Sequence, residues 1–133
     1  MSLNQTIKLL RSAPYFPVFE VKKTAQFYDQ ILGFQCEYLA GNPAEFAICS
    51  RDNLAIMLKR VSATETIIPN EKQGGTWDVF FWVEGLDTLF SELKSNGADI
   101  VYEPLIRESY QMKEFAVRDC NGYVLGFGQV MEK

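Results

Sequence analysis

The sequence contains no histidine in its 133 residues. Imidazole is a common metal ligand and the usual side chain for proton transfer near neutral pH. Its absence excludes histidine metal sites, Ser-His and Cys-His nucleophile pairs, and an imidazole general base. An acid, a base or a metal ligand in this protein would have to come from other side chains, carboxylates above all.

Cysteine is also scarce. Cys36, Cys49 and Cys120 are odd in number, widely spaced and never arranged as C-x-x-C. This pattern argues against a disulfide framework or a zinc knuckle, and it favours buried free thiols in a reducing compartment. We therefore expect a cytoplasmic protein.

A net positive charge and long apolar runs are missing as well. The formal net charge is -4, and Lys22-Lys23 is the only basic cluster that stands out. Nucleic-acid binding usually needs a basic face, so we expect no nucleic-acid partner. The longest dense apolar stretch, residues 79–83, is far too short to span a bilayer, so we expect no membrane partner.

The overall composition is that of an ordinary globular protein, with 47% hydrophobic and 23% charged residues. It predicts a single domain over residues 1–133. The order strand, helix, glycine, strand, loop, hairpin occurs twice, which divides the chain into a first module (13–61), a connection (62–76) and a second module (77–130). The sequence thus predicts an α+β fold of two tandem βαβββ modules that form a mixed sheet around a cleft.

The two modules also carry matching details. Helices are predicted over residues 22–32 and 86–96, each closed by a glycine. Arg51-Asp52-Asn53 and Arg118-Asp119-Cys120-Asn121 fall in the same hairpin turn of each module, where Asp119 is expected to cap the turn. In the second module, residues 99–103 are predicted as a strand and 104–111 as a loop.

Two motifs resemble a known family. Phe27-Tyr28 followed by Leu32-Gly33-Phe34 is a common first-helix signature of the glyoxalase/bleomycin-resistance/extradiol-dioxygenase superfamily, the vicinal oxygen chelate proteins. The run from Phe115 to Tyr123 is similar to that family's F-x-V-x-D-P-D-G-Y hairpin, with Cys120 in place of proline. The resemblance covers about residues 13–130, and it implies the same two-module fold.

In metal-dependent members of that family, four inward-facing strand positions carry histidine or glutamate ligands. By local counting these positions fall on Pro14, Met57, Asp78 and Gly126. Only Asp78 could bind a metal, and one carboxylate does not make a catalytic site. We therefore expect no metal and no cofactor.

The opening strand, residues 14–20, resembles that of bleomycin-resistance proteins. The resemblance implies a homodimer that exchanges its N-terminal strand, a role in antibiotic resistance, and a small organic ligand bound unchanged at the interface. Strand alternation would place Phe16, Val18, Lys59, Phe80, Trp82, Val124 and Gly128 on the side of the four counted positions. The expected ligand-binding residues are therefore Phe16, Met57, Lys59, Asp78, Phe80 and Trp82, joined by Arg107 and Tyr110 from a segment that contacts ligand in the family.

Each of these residues also has a structural interpretation. The aromatic side chains could simply fill the core, and Asp78 could be an exposed residue at the start of a strand. Lys59 could end in solvent, and residues 107–112 could form an exposed loop.

The leading functional hypothesis is a metal-independent binding or sequestering protein for a small aromatic or cationic compound. A histidine-free lyase or isomerase is the first alternative, with Asp78, Tyr110 or Lys59 as acid or base. A carboxylate-only metal site and a non-catalytic interaction module are the others. The absence of the family's metal ligands argues against an enzyme. If the protein is an enzyme, Asp78 is the catalytic candidate.

Overall fold

The computed structural model of the protein describes residues 5–132. That range contains eight strands and two α-helices, and α1 is extended by a π-helical turn over Tyr28–Leu32. In chain order the elements are β1 (Tyr15–Val18), α1 (Val21–Phe27), β2 (Gln35–Ala40), β3 (Phe46–Arg51), β4 (Leu54–Arg60), β5 (Val79–Trp82), α2 (Leu86–Ser95), β6 (Asp99–Arg107), β7 (Met112–Arg118) and β8 (Val124–Val130). No helix within residues 5–132 is long and apolar enough to cross a membrane.

The strands form two four-stranded mixed sheets of the same design. Their orders are β1-β4-β3-β2 and β5-β8-β7-β6. Strand β1 runs parallel to β4, and β5 runs parallel to β8. All other neighbouring strands in the two sheets are antiparallel. The predicted α+β fold with two βαβββ units is confirmed.

Each sheet turns one face toward the core and the other face away from it. Along β4, Ile56 and Leu58 are fully buried and α1 packs against this strand. The two halves meet through aromatic contacts between their core faces: Phe34 lies 5.7 Å from Phe81, and Phe16 stacks on Tyr123 at 4.2 Å, measured between ring centroids. Buried residues from both halves therefore form one hydrophobic cluster.

The faces turned away from the core are called the outer faces here. Their members follow from strand register and alternation. The first outer face contains Tyr15, Pro17, Tyr38, Phe46, Ile48, Met57 and Lys59. The second contains Phe80, Trp82, Tyr102, Met112, Glu114, Gly126 and Gly128.

Strand β6 is longer than the sequence predicts. It continues through Pro104 to Arg107, so the prediction of a loop is wrong for residues 104–107. Proline cannot donate a ladder hydrogen bond, but β6 is an edge strand and its register shifts between Tyr102 and Leu105. Both features make proline acceptable at this position.

The β7–β8 turn is tied to the first half through Asp119. One carboxylate oxygen accepts hydrogen bonds from the backbone N–H groups of Asn121 (2.8 Å) and Tyr123 (2.9 Å), which is the capping role expected for this residue. The other accepts a hydrogen bond from the buried Tyr28 hydroxyl at 2.6 Å. Burial raises the pKa of Asp119 to about 6, although all three hydrogen bonds act in the opposite direction.

The expectation of buried thiols is correct only for Cys49. Cys36 and Cys120 are both exposed, the first on the edge strand β2 and the second in the β7–β8 turn. Burial raises the pKa of the Cys49 thiol to about 12, so this side chain is an unreactive core residue.

Candidate functional site

Three aromatic rings form a platform on the second outer face. Phe80 and Trp82 project from β5 opposite Gly126 and Gly128 of β8. The Trp77 and Phe80 rings lie 4.6 Å apart, and the Phe80 and Trp82 rings 5.1 Å apart. Trp82 is 69% exposed. These three residues, Trp77, Phe80 and Trp82, are called the aromatic platform below.

The two glycines provide the space that the platform occupies. A Cβ added at Gly126 would lie 2.5 Å from Cδ1 and 2.6 Å from Nε1 of Trp77, and 2.8 Å from Phe80. At Gly128 it would overlap Phe80 and lie 2.7 Å from Met112. Neither glycine has a positive φ, so the requirement is for room and not for an unusual backbone.

We expect Gly126→Ala to destabilise the fold by about 1–3 kcal/mol, the usual cost of overpacking. Trp77 cannot move away freely, because its indole N–H donates a hydrogen bond to the Tyr102 hydroxyl at 2.9 Å. Denaturant unfolding measures the change. In a Trp77→Phe background, where the ring is smaller, the same substitution should cost less, and strictly additive effects would contradict the proposed overlap.

A fully buried carboxylate lies beside the platform. Glu114 on β7 accepts hydrogen bonds from the Tyr102 hydroxyl through Oε2 and from the Tyr110 hydroxyl through Oε1. The Arg107 guanidinium lies over the Tyr102 ring and places its Nε 3.6 Å from Oε1. Burial, together with the hydrogen bond to Glu114, raises the pKa of Tyr102 to about 12. Two protonated tyrosine hydroxyls, those of Tyr102 and Tyr110, therefore surround the Glu114 carboxylate.

Asp78 lies at the start of β5, where both of its carboxylate oxygens have backbone partners. Oδ1 accepts the N–H of Asn70 at 2.9 Å, and Oδ2 accepts the N–H of Val124 at 2.8 Å. Asp78 thus joins the connection between the halves to β8. This arrangement argues against the cation-binding and catalytic roles considered for it.

The metal of metal-dependent relatives does not fit the four counted positions. Asp78 is occupied by backbone donors, and Gly126 is covered by Trp77 and Phe80. Pro14 precedes β1 and alternates with Phe16 toward the core. Among residues 5–132, no group of three or more Cys, Asp or Glu side chains is placed to hold a metal ion.

Met57 and Lys59 lie on the outer face of the other sheet. Both are half-buried, and Lys59 pairs with Glu45 at 3.4 Å. Tyr15 and Pro17 are their register partners in β1. Within one chain, these two predicted ligand contacts therefore belong to a different sheet from Phe80 and Trp82.

Phe16 does not lie on an outer face, and its expected placement is wrong. It is 5% exposed and stacks on Tyr123 in the core, while Val18 on the same side of β1 is fully buried. The family's first metal position was counted on Pro14, and this count is shifted by one residue relative to the register of β1. Because the side-chain period of a strand is two, a slip of one residue exchanges the faces.

Arg107 and Tyr110 meet at Glu114, so the structure brings together two of the predicted residues around one that sequence reasoning missed. A signal for Glu114 was available. Phe115 and Val117 read as core residues, so alternation places Glu114 on the opposite face, next to the strand that carries Gly126 and Gly128.

A groove of about 710 Å³ lies elsewhere, between the β3–β4 turn and α2. Arg51 and Glu92 form an ion pair of 2.7 Å at its rim. Its floor consists of closely packed core residues such as Leu32, Leu93 and Phe127. The groove shares only Trp82 with the predicted site residues.

Comparisons with known proteins agree with this architecture. A sequence model of the glyoxalase/bleomycin resistance protein/dioxygenase superfamily matches residues 9–127. No curated protein matches the sequence.

Solved structures show the same fold at low sequence identity. TioX from Micromonospora sp. ML1 superposes with a TM-score of 0.71 at 18% identity, over 91% of this chain and 98% of the other. A bleomycin resistance determinant encoded on the transposon Tn5 gives 0.70 at 18% identity, over 92% and 98%. A glyoxalase-related enzyme from Clostridium phytofermentans gives 0.68 at 16% identity, over 98% and 100%.

Proposed function

The chain belongs to the glyoxalase/bleomycin resistance/dioxygenase superfamily, and we propose that it binds a planar small organic molecule on its second outer face without a metal. The observation that carries this proposal is the aromatic platform. A tryptophan that is 69% exposed and lies against a second ring offers a flat apolar surface on which an aromatic ligand can stack. The protein would hold the compound without changing it.

The environment of the platform supports the proposal. Two glycines give the rings room, and a buried carboxylate with polar neighbours lies next to them. Ligand sites commonly combine a mainly apolar wall with a few placed polar groups. One structural neighbour is a bleomycin resistance determinant, which makes drug sequestration, and with it antibiotic resistance, a reasonable form of this function. The three free thiols fit a reducing cytoplasm.

We also propose that the protein acts as a homodimer. The first outer face carries exposed aromatic side chains, with Tyr15 at 55% and Tyr38 at 53% exposure. In the segment that precedes β1, Ile7, Leu9 and Leu10 are at least 79% exposed. Pairing would cover such surfaces and could bring Met57 and Lys59 of one copy toward a platform of the other. Light scattering after gel filtration should give twice the mass of one chain, and a monomer mass would contradict this.

Thermal melting against a panel of planar compounds, in the presence of EDTA, tests the binding proposal. A ligand present at 100 times its dissociation constant stabilises a protein by about 2.7 kcal/mol, which is readily seen as a higher melting temperature. We expect at least one planar compound to raise the melting temperature equally with and without EDTA. A rise that needs an added divalent metal, or no rise across the panel, would contradict the proposal.

Trp82→Ala should lower the affinity for such a compound at least about tenfold, because it removes the largest stacking surface of the site. Trp82→Phe keeps an aromatic ring and should retain most of the affinity. Since Trp82 is exposed, neither change should alter the melting temperature of the free protein appreciably. Equal affinities for wild type and Trp82→Ala would place the ligand away from Trp82 and contradict binding on the aromatic platform.

A further inference from the structure

We propose that Glu114 is the anionic anchor of this ligand site, and that the site selects planar compounds carrying a protonated nitrogen. The inference rests on the proposed binding function and specifies its ligand class. In the free protein, Arg107 and Tyr110 occupy the anchor. A ligand cation would take their place.

The burial of Glu114 calls for an explanation. It is 0% exposed on a sheet face where its neighbours are Ala116, Gly126 and Gly128. A buried carboxylate loses several kcal/mol of solvation unless partners compensate, whereas an apolar side chain would lose none. Asp119, the other buried carboxylate among the described residues, holds two backbone N–H groups of a turn. Glu114 accepts its hydrogen bonds from side chains, so its burial is not explained by a need to satisfy backbone N–H groups.

The two oxygens of Glu114 differ in how firmly they are held. Oε2 accepts the hydroxyl of Tyr102, which is itself fixed by the Trp77 indole N–H. Oε1 faces Tyr110 and Arg107, whose side chains are 46% and 40% exposed. Arg107 precedes an exposed segment, 108–111, which contains Tyr110 and ends with Gln111 at a φ of 55°. Oε1 is therefore the oxygen at which partners can be exchanged.

The chemistry of exchange defines the ligand. Whatever displaces a guanidinium and a phenol from a buried carboxylate must itself donate strong hydrogen bonds, and it must carry positive charge to replace that of Arg107. An ammonium, an amidinium, or an amino group conjugated to a protonated ring nitrogen meets both conditions. A neutral planar compound could stack on Trp82 but would leave Arg107 in place, so it would not depend on Glu114.

A matched pair of probes separates the two contributions. The cation 9-aminoacridine and acridine, which is uncharged in mildly alkaline buffer, share one ring system, and their binding can be followed by fluorescence. We expect Glu114→Gln to weaken binding of 9-aminoacridine by at least about tenfold and binding of acridine by less than about twofold, as loss of a charged hydrogen bond requires. Glu108→Gln, an equal charge change in the exposed segment, is the control and should alter neither affinity by more than about twofold.

Arg107→Gln provides the opposite prediction and leaves Glu114 and its tyrosine hydrogen bonds in the protein. Removing the competing charge should strengthen 9-aminoacridine binding several-fold, whereas an Arg107 that contacted ligand directly would make the variant weaker. Parallel losses for both probes in Glu114→Gln, or weaker cation binding in Arg107→Gln, would overturn the anchor role and leave the binding function standing. If wild-type protein bound neither probe nor any compound of the planar panel, the binding function itself would fail, and the inference with it.

Discussion

Asp119→Ala is expected to lower the free energy of unfolding by about 3–5 kcal/mol, the largest effect of any single change considered for this protein. The substitution leaves three donors without this acceptor: the buried Tyr28 hydroxyl, the buried backbone N–H of Tyr123 and the partly buried backbone N–H of Asn121. It also removes one of the contacts between the β7–β8 turn and the helical segment of the first half, while the hydrogen bond from the Asn121 side chain to the Thr24 hydroxyl remains. Denaturant unfolding followed by circular dichroism measures the loss.

The internal repeat supplies the control. Asp52 occupies the corresponding place in the β3–β4 turn, but it is exposed and has a φ of 50°. Asp52→Ala should therefore cost much less than Asp119→Ala. Similar losses at the two positions would show that a generic turn effect, and not the buried contact with Tyr28, explains the role of Asp119.

The same carboxyl group should make stability depend on pH. Its pKa is about 6 in the folded protein, against an ordinary value of 3.8. Since the folded state binds the proton more tightly, the stabilisation from this group is fully present below pH 3.8 and is lost as the pH rises through about 6. The loss is on the order of 3 kcal/mol.

Comparison with Asp119→Asn isolates this contribution. The variant keeps the shape of the side chain but has no titrating group at this position, and surface carboxylates with lowered pKa, such as Glu71 and Glu92, titrate alike in both proteins. The unfolding free energy of the wild type minus that of the variant should therefore decrease with rising pH across this interval. A difference that stays constant would show that Asp119 ionises normally in the fold.

Most of the fold was predictable, because the repeat and the periodicities are local properties of the sequence. The two helices, their terminal glycines and both hairpins lie within a few residues of their predicted places. The error over residues 104–107 has a physical cause. Pro104 indicates a break, but an edge strand with a register shift accommodates it.

The site was predicted less completely, because it depends on register and on tertiary partners. Phe80 and Trp82 were placed on the correct face, since β5 alternates regularly against β8. Phe16 was not, because the count toward β1 slipped by one residue. No local pattern shows that the oxygens of Asp78 accept hydrogen bonds from Asn70 and Val124, since the latter lies 46 residues away in sequence.

Glu114 was overlooked for a different reason. The predicted site was built around four positions that bind metal in metal-dependent members of the family, and Glu114 lies on the strand next to the last of them. A charged residue between the core positions of β7 was visible in the sequence, but its burial under Tyr102, Tyr110 and Arg107 required the tertiary structure.

The most direct test of metal-free binding on the second outer face is a nuclear magnetic resonance titration of the two indole N–H signals. The chain contains only two tryptophans, and both belong to the aromatic platform. With EDTA-treated protein and 9-aminoacridine, we predict saturable shifts of both signals, while the backbone signals of the β3–β4 turn stay in place. Unchanged indole signals at concentrations that raise the melting temperature, or shifts that appear only after a divalent metal is added, would contradict the account.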